Sequence, residues 1–545
     1  MSRRAWFFVP LILQLGCASG PQFATPPVAA ANPNPAVPLA AVVTFAPTEP
    51  VSTTIEVSDG EHDWRLEYDS TSDPTQGLPI VGMRPDRKHD IRVSIHDSAG
   101  KTATAAEALT FSTPTLPESG VEFPPINVSV SKPDEMEPGV TLFNPRRRKV
   151  GRSQEIAKFN AGFGMLAALD AAGEVVWYYR VNSRISDFEK ARNGNILFCT
   201  ADFRLIEIDW LGNTVNQWYA KNSPESHDEG IAVDVLTFHH EIDELPDGNI
   251  LVLSSEVKEI DAYYTSEYDA QAPRKRQKVM GDVIIEFDRQ SGEVVWEWRA
   301  FDHLDPLRIG FETFSNYWVR RGFPETVDWS HANNLLYDES DDSLLVNFRY
   351  QAAAMKIDRK TKEILWIFGE PTGWGDLSEK LLKPEGAIEW PYHQHSPSVT
   401  PNGTLLLYNN GNYEARPFRK PADVEATYSR AVEYAIDPQA MTVKQVWQSE
   451  EMGPDRVISI AMGDADWLPE TKNVLVAYGA LLTPESLGKV GWESSSRQQF
   501  SQWTRLREYK RSNPPEVVFE VVMKSDDPQM GWTLFGAERI DGVGP

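Results

Sequence analysis

The chain has 545 residues, 41% of them hydrophobic, with 17 Trp and a formal net charge of −26. Its length admits two or three domains, each with a core of its own. The acidic balance excludes nucleic acid as a partner, because a phosphate backbone needs a basic surface.

Arg3 and Arg4 precede an apolar run from Ala5 to Leu15, followed by Gly16-Cys17-Ala18-Ser19. The run is too short to span a bilayer, so residues 1–17 are expected to be a cleaved signal peptide. Gly16-Cys17 resembles the cleavage box of bacterial lipoproteins, with Gln14 where leucine is commoner. Cys17 is then the candidate for lipidation. The mature protein is expected in the periplasm or cell envelope, as an outer-membrane lipoprotein that meets the membrane through its lipid alone. The other cysteine, Cys199, lies in Ile196-Leu197-Phe198-Cys199 and reads as a buried core residue, which leaves no intramolecular disulfide.

Residues 18–40, rich in Pro and Ala, read as an extended tether. Over 41–115 the apolar residues alternate, as in Thr54-Ile55-Glu56-Val57 and Ile91-Arg92-Val93-Ser94-Ile95, and predict a small β-sandwich of fibronectin type III or immunoglobulin type. Residues 116–150 read as a Pro-containing linker. The basic runs Arg146–Lys149 and Arg274–Arg276 read as solvated linker or loop charges.

From 151 to 545 a unit repeats. An apolar strand ends in Asp, a turn follows, and the next strand carries Trp: Asp170 and Trp177, Asp209 and Trp218, Asp288 and Trp296, Asp358 and Trp366, Asp437 and Trp447. Asp favours the turn by accepting from the following amides, and Trp fills space between stacked sheets. A degenerate sixth copy lies near Val517–Val522, so the sequence predicts an all-β, six-bladed β-propeller. Trp532–Ile540 is the expected closing strand.

Three histidines fall at corresponding points of the repeat. His240 and His395 each stand eight residues before a turn glycine, Gly248 and Gly403, and His331 precedes a turn three residues longer. Matched positions on radial blades converge on one axis. Three imidazoles could bind zinc. However, Arg349 on the strand after His331, with Asn333 two residues past His331, favours an oxyanion pocket, since a guanidinium repels a metal and clamps an anion. One of the three could act as a nucleophile toward a bound anion, and His393, two residues before His395, is a competing candidate. His239 should point away from His240 if both lie on a strand.

Phe238-His239-His240 before Leu245-Pro246-Asp247-Gly248-Asn249, Asp328–Asn333, Asn347-Phe348-Arg349, Gln394-His395, Asn409-Asn410-Gly411 and Ser429–Tyr434 resemble the bacterial arylsulfate sulfotransferases over roughly 150–540. The chain lacks the cysteine pair of well-known periplasmic members. The resemblance implies a six-bladed propeller that moves a sulfuryl group from a phenolic sulfate donor to an acceptor phenol, without a nucleotide sulfate. It implies His395 as the histidine that is transiently sulfated, His240, His331 and Arg349 as holders of the sulfate oxygens, and Asn333 beside the pocket. A covalent intermediate would give ping-pong kinetics. No cofactor and no metal are expected, and a homodimer is compatible with the sequence. A non-catalytic, lipid-tethered binding propeller and a quinoprotein dehydrogenase are the competing readings.

Overall fold

A computed structural model describes residues 20–118, 120–492 and 498–544. The expected signal peptide and Cys17 lie outside the described residues. Two compact units are present, one formed mainly by residues up to 112 and the other by residues 113 onward together with 32–40 and 81–86.

The first unit is a sandwich of two sheets. One pairs Phe23–Ala31 with Ala41–Pro47 and Leu78–Ile80; the other is built on Ser52–Ser58 between Asp63–Tyr68 and Lys88–His96. Alternation in Lys88–His96 sends Ile91, Val93 and Ile95 into the core with Ile55, Val57 and Val43. The expectation of a tether over 18–40 needs correction, because residues 23–31 form a strand of this sheet. Pro26 and Pro27 sit on an edge strand, where a missing N–H costs nothing, and Phe23 packs edge-on against Phe45 at 5.3 Å.

The second unit is a β-propeller, with six sheets of at least four strands among the described residues, antiparallel except for a short parallel strand added to three of them. The innermost strands are Ile185–Lys190, His239–Glu244, Ala332–Asp338, His395–Val399, Asp464–Trp467 and Met530–Ile540. Each packs against the next, and the last returns to the first. Closure is made twice. Met530–Ile540 pairs with Val140–Lys149 to complete the first sheet, and Asn127–Ser131 adds an outer strand to the sixth. Residues 116–150 therefore hold two propeller strands where a linker was expected. The Arg146–Lys149 run is on a paired strand with Arg146 buried, so it is not a solvated loop; Arg274–Arg276 is exposed as expected.

The Asp-to-Trp repeat has a physical cause. Each turn Asp accepts backbone amides, as Asp209 does from Leu211 and Asn213 at 2.9 Å. The Trp indole then reaches the next sheet and donates to the carbonyl of the residue after that sheet's Asp. Trp177 bonds Trp210, Trp218 bonds Arg289 and Trp296 bonds Arg359, at 3.0, 2.8 and 2.9 Å. Truncating such a buried indole costs on the order of 3–5 kcal/mol.

At the ring's centre a cavity of about 210 Å³ is lined by Asp187, Glu189, Glu241, Asp243, Asp464, Asp466 and Glu538. Three of these carboxylates accept a backbone amide of the neighbouring inner strand: Asp187 from Ile242, Asp243 from Tyr337 and Asp464 from Ala537. They satisfy edge N–H groups that the converging strands cannot pair. Burial raises Asp243 and Asp464 to about 6 and Glu538 to about 8, although Glu538 keeps part of its surface on the cavity. A carboxyl whose folded value exceeds its unfolded one binds more protons when folded. Stability is therefore full below the unfolded value, near 4, and falls as pH rises toward 8, by up to ~1.4 kcal/mol per pH unit per group. Glu538→Gln is expected to flatten the fall of the melting temperature between pH 5 and 8; an unchanged slope overturns this account.

Candidate active site

A cavity of about 580 Å³ is lined by His240, His331, His395 and Arg349, with Tyr317, Tyr350 and Phe535 among its aromatic walls. The three histidines reach it from the inner strand, or its entry, of three successive sheets. The rings of His240 and His331 are 4.9 Å apart, and His331 stacks on Tyr350 at 4.6 Å. Backbone φ is positive at both His240, +59°, and His331, +50°. Non-glycine residues adopt that conformation rarely and at a cost that surrounding structure must offset. Here it accompanies bulges that re-aim the side chains.

Hydrogen bonds assign the imidazole tautomers. Asn410 donates through Nδ2 to the carbonyls of Ser459 and Met462, so its Oδ1 is the acceptor facing His395 Nδ1 at 2.7 Å. Nδ1 of His395 therefore carries the hydrogen, and Nε2 holds the lone pair, which accepts the Met462 N–H at 3.1 Å. His239 donates from Nε2 to the Ser254 carbonyl, so its Nδ1 accepts from His240 Nδ1, 2.9 Å away. That leaves the His240 Nε2 lone pair near the Tyr317 hydroxyl, at 3.4 Å. His331 Nδ1 lies 2.6 Å from Asp328 Oδ2.

Burial drives the imidazoles of His240, His331 and His395 well below their usual value. Arg349 adds to the effect at His331 and His395, and His331 does so at His240. Burial likewise raises Asp328 to about 7. With Asp328 ionised, His331 Nδ1–H donates to it and Nε2 is an acceptor. With Asp328 protonated, Nδ1 accepts and Nε2 carries a hydrogen. One proton taken up by this pair near neutrality thus turns the His331 Nε2 from acceptor to donor.

Arg349 is buried, with Nη1 on Glu312 Oε2 at 2.7 Å, Nη2 on the Ile460 carbonyl at 3.2 Å, and Nε without a partner. Asn333 is placed differently from the expectation. The bulge after Ala332 turns it out of the cavity wall, where its Nδ2 donates to the Gln394 carbonyl at 3.0 Å and its Oδ1 accepts from Asn347. It supports the backbone beside His395 without lining the cavity. His393, at φ +55°, packs between Tyr350 and Tyr413 and is likewise absent from the lining. His239 does not point away from His240; the positive φ at His240 breaks strand alternation. Cys199 is fully buried, as expected. Sequence reading missed Arg146, Arg148, Arg184, Arg320, Arg321 and Tyr317, all of which line the cavity. Such a concentration of guanidiniums disfavours a cation among the three histidines.

The model of the arylsulfotransferase family matches residues 126–532, and that of the arylsulfotransferase Ig-like domain matches 29–114. The chain belongs to the arylsulfotransferase family. Arylsulfate sulfotransferase AssT of Escherichia coli is 30% identical over 244 residues, 36% of this chain and 39% of that protein. The protein of the same name from Lelliottia amnigena is 30% identical over 217 residues, 32% of this chain and 36% of that protein. The chain thus matches well under half the length of either relative. A solved structure of a protein of unknown function from Bacteroides caccae, 12% identical, covers 73% of this chain and 99% of its own, with a TM-score of 0.36, a level that supports no argument.

Neutral imidazoles with lone pairs toward the cavity are poor anion ligands until protonated. Binding of an oxyanion is therefore expected to take up about one proton near pH 7.5, through His331 and Asp328, and to weaken about tenfold per pH unit above that. Calorimetry of 4-nitrophenyl sulfate with a His395→Asn variant, in buffers of different ionisation enthalpy, measures the uptake; buffer-independent heats exclude it.

Proposed function

We propose that this family member transfers a sulfuryl group from a phenolic sulfate to an acceptor phenol through a sulfated His395, with no nucleotide sulfate donor. The observation that carries the reading is the hydrogen-bonded tautomer of His395: Asn410 holds Nδ1–H, and the Nε2 lone pair meets the N–H of Met462, which itself lines the cavity. Once the Met462 N–H swings off, Nε2 attacks sulfur and the S–O bond to the aryl group breaks. The electron pair leaves on the phenolate oxygen, which takes a proton from the Nε2–H of His331. Arg349 and the freed Met462 N–H donate to the equatorial sulfuryl oxygens, where in-line transfer concentrates charge.

Asn410 has a part in the second half. A neutral acceptor on Nδ1–H leaves the proton on the ring, so the sulfated imidazole stays cationic and remains a good leaving group. The acceptor phenol gives its proton to His331, its oxygen attacks sulfur, the S–N bond breaks, and the pair returns to Nε2. Tyr317, Tyr350 and Phe535 offer faces for the aryl ring.

After brief exposure to 4-nitrophenyl sulfate alone, the peptide containing His395 is expected to gain one sulfuryl mass, and added phenol to remove it. His395→Asn should fold and lose turnover by at least ~10³-fold, as loss of a nucleophile does. A mass increment elsewhere, or retained turnover, overturns the assignment.

The envelope location belongs to the same proposal and rests on Arg3-Arg4, the short apolar run and Gly16-Cys17. Mass spectrometry of the membrane fraction is expected to find an acylated N-terminal Cys17. A mature form beginning at another residue and free of lipid overturns it.

A further inference from the structure

The transfer reading places one sulfuryl group against Arg349 and the histidines. The same cavity holds further guanidiniums. Arg146 enters from Val140–Lys149, Arg184 from the loop before Ile185–Lys190, and Arg320 and Arg321 from the short turn Val319–Arg321, with Arg148 beside them. None of these five makes an ion pair with a carboxylate among the described residues. Many guanidiniums elsewhere in the molecule are paired, as Arg147 is with Glu122 and Arg359 with Glu286. Of the cavity's own carboxylates, Glu312 is committed to Arg349 and Asp202 to Arg204; Glu225 is exposed. Arg146 donates instead to the Ser186 carbonyl and to Met462 Sδ, and the Nε atoms of Arg146 and Arg184 have no partner. Burial, with their mutual repulsion, lowers Arg146 to about 9 and Arg148 to about 10, a further sign that the charges lack anions. In a chain of net charge −26, so many unpaired guanidiniums facing one cavity mark the place of an anion.

The spacing is set by Tyr317. Its ring meets those of His240 and His331, at 5.9 and 4.8 Å between centroids, and the Arg321 guanidinium lies over it at 3.8 Å. Arg321 and the two histidines are thus about one aromatic ring apart.

We propose that the cavity selects phenolic substrates bearing a second anionic group, such as a carboxylate, on the side of the ring away from the reacting oxygen, with Arg184 and Arg321 as its counter-charges. The inference rests on the transfer reading and specifies its substrate class. A bidentate guanidinium contact to a carboxylate adds orientation as well as affinity, so the second anion would fix which oxygen faces His395.

The test compares 4-sulfooxyphenylacetate with 4-sulfooxyphenylacetamide as donors to the full chain. The two share size and nearly equal leaving-group acidity and differ in one charge. The acid is expected to show at least tenfold higher kcat/KM. That ratio should shrink as salt is raised and fall toward one in Arg184→Gln and Arg321→Gln. A ratio near one in the unmodified protein, or a high ratio unchanged in both variants, overturns the inference. If neither sulfate is turned over, the transfer reading fails. Calorimetric affinity for 4-hydroxyphenylacetate against its amide then still decides this inference: preference for the acid, lost in the variants, supports it, and equal affinity overturns it.

Discussion

The pairing of Met530–Ile540 with Val140–Lys149 is the constraint on which the rest depends. Without it the first sheet lacks its inner strand, and Asp464–Trp467 has no neighbour to lead on to Ile185–Lys190. The same pairing sets Phe535 and Arg146 side by side in the cavity wall, with the guanidinium 4.7 Å over the ring. Ring closure and site assembly are thus one event, and the indole-to-carbonyl links between successive sheets hold the radial spacing that lets side chains from separate sheets meet.

Two opposed electrostatic environments lie within one propeller. The central cavity collects carboxylates and holds them toward their neutral form by burial. The neighbouring cavity collects guanidiniums and keeps its imidazoles neutral. Neutral carboxyls avoid mutual repulsion where inner strands crowd together. Neutral imidazole is the form with a lone pair to offer a sulfur atom. Both states follow from the cost of burying charge, and the guanidiniums stay charged because their intrinsic basicity is so much higher.

What the sequence disclosed was whatever repeats. Asp209 and Trp218 are legible because each makes a bond that other copies repeat, the Asp to its own turn and the Trp to the next sheet, and His240, His331 and His395 because they occupy the same part of three hairpins. Arg349 followed from its place on the hairpin of His331. The departures arise where local geometry or distant pairing decides. Alternation predicts Asn333 in the cavity and His239 away from His240, but bulges and positive φ at His331 and His240 reverse both. Arg146 sits in a run that composition alone assigns to solvent; its burial depends on a strand near residue 533. Arg184, Arg321 and Tyr317 stand on irregular segments that carry no period. Proline content hid the strand at Phe23–Ala31, since an edge position tolerates it.

Arg146 and Thr533 are register partners 387 residues apart. Contacts so distant in sequence form late, after the nearer hairpins have closed. A ribosome would have to deliver nearly all of the chain before the cavity wall exists. Throughout synthesis the histidines would stand on separate, unclosed blades, so under the proposed mechanism chemical competence arrives with the last strand.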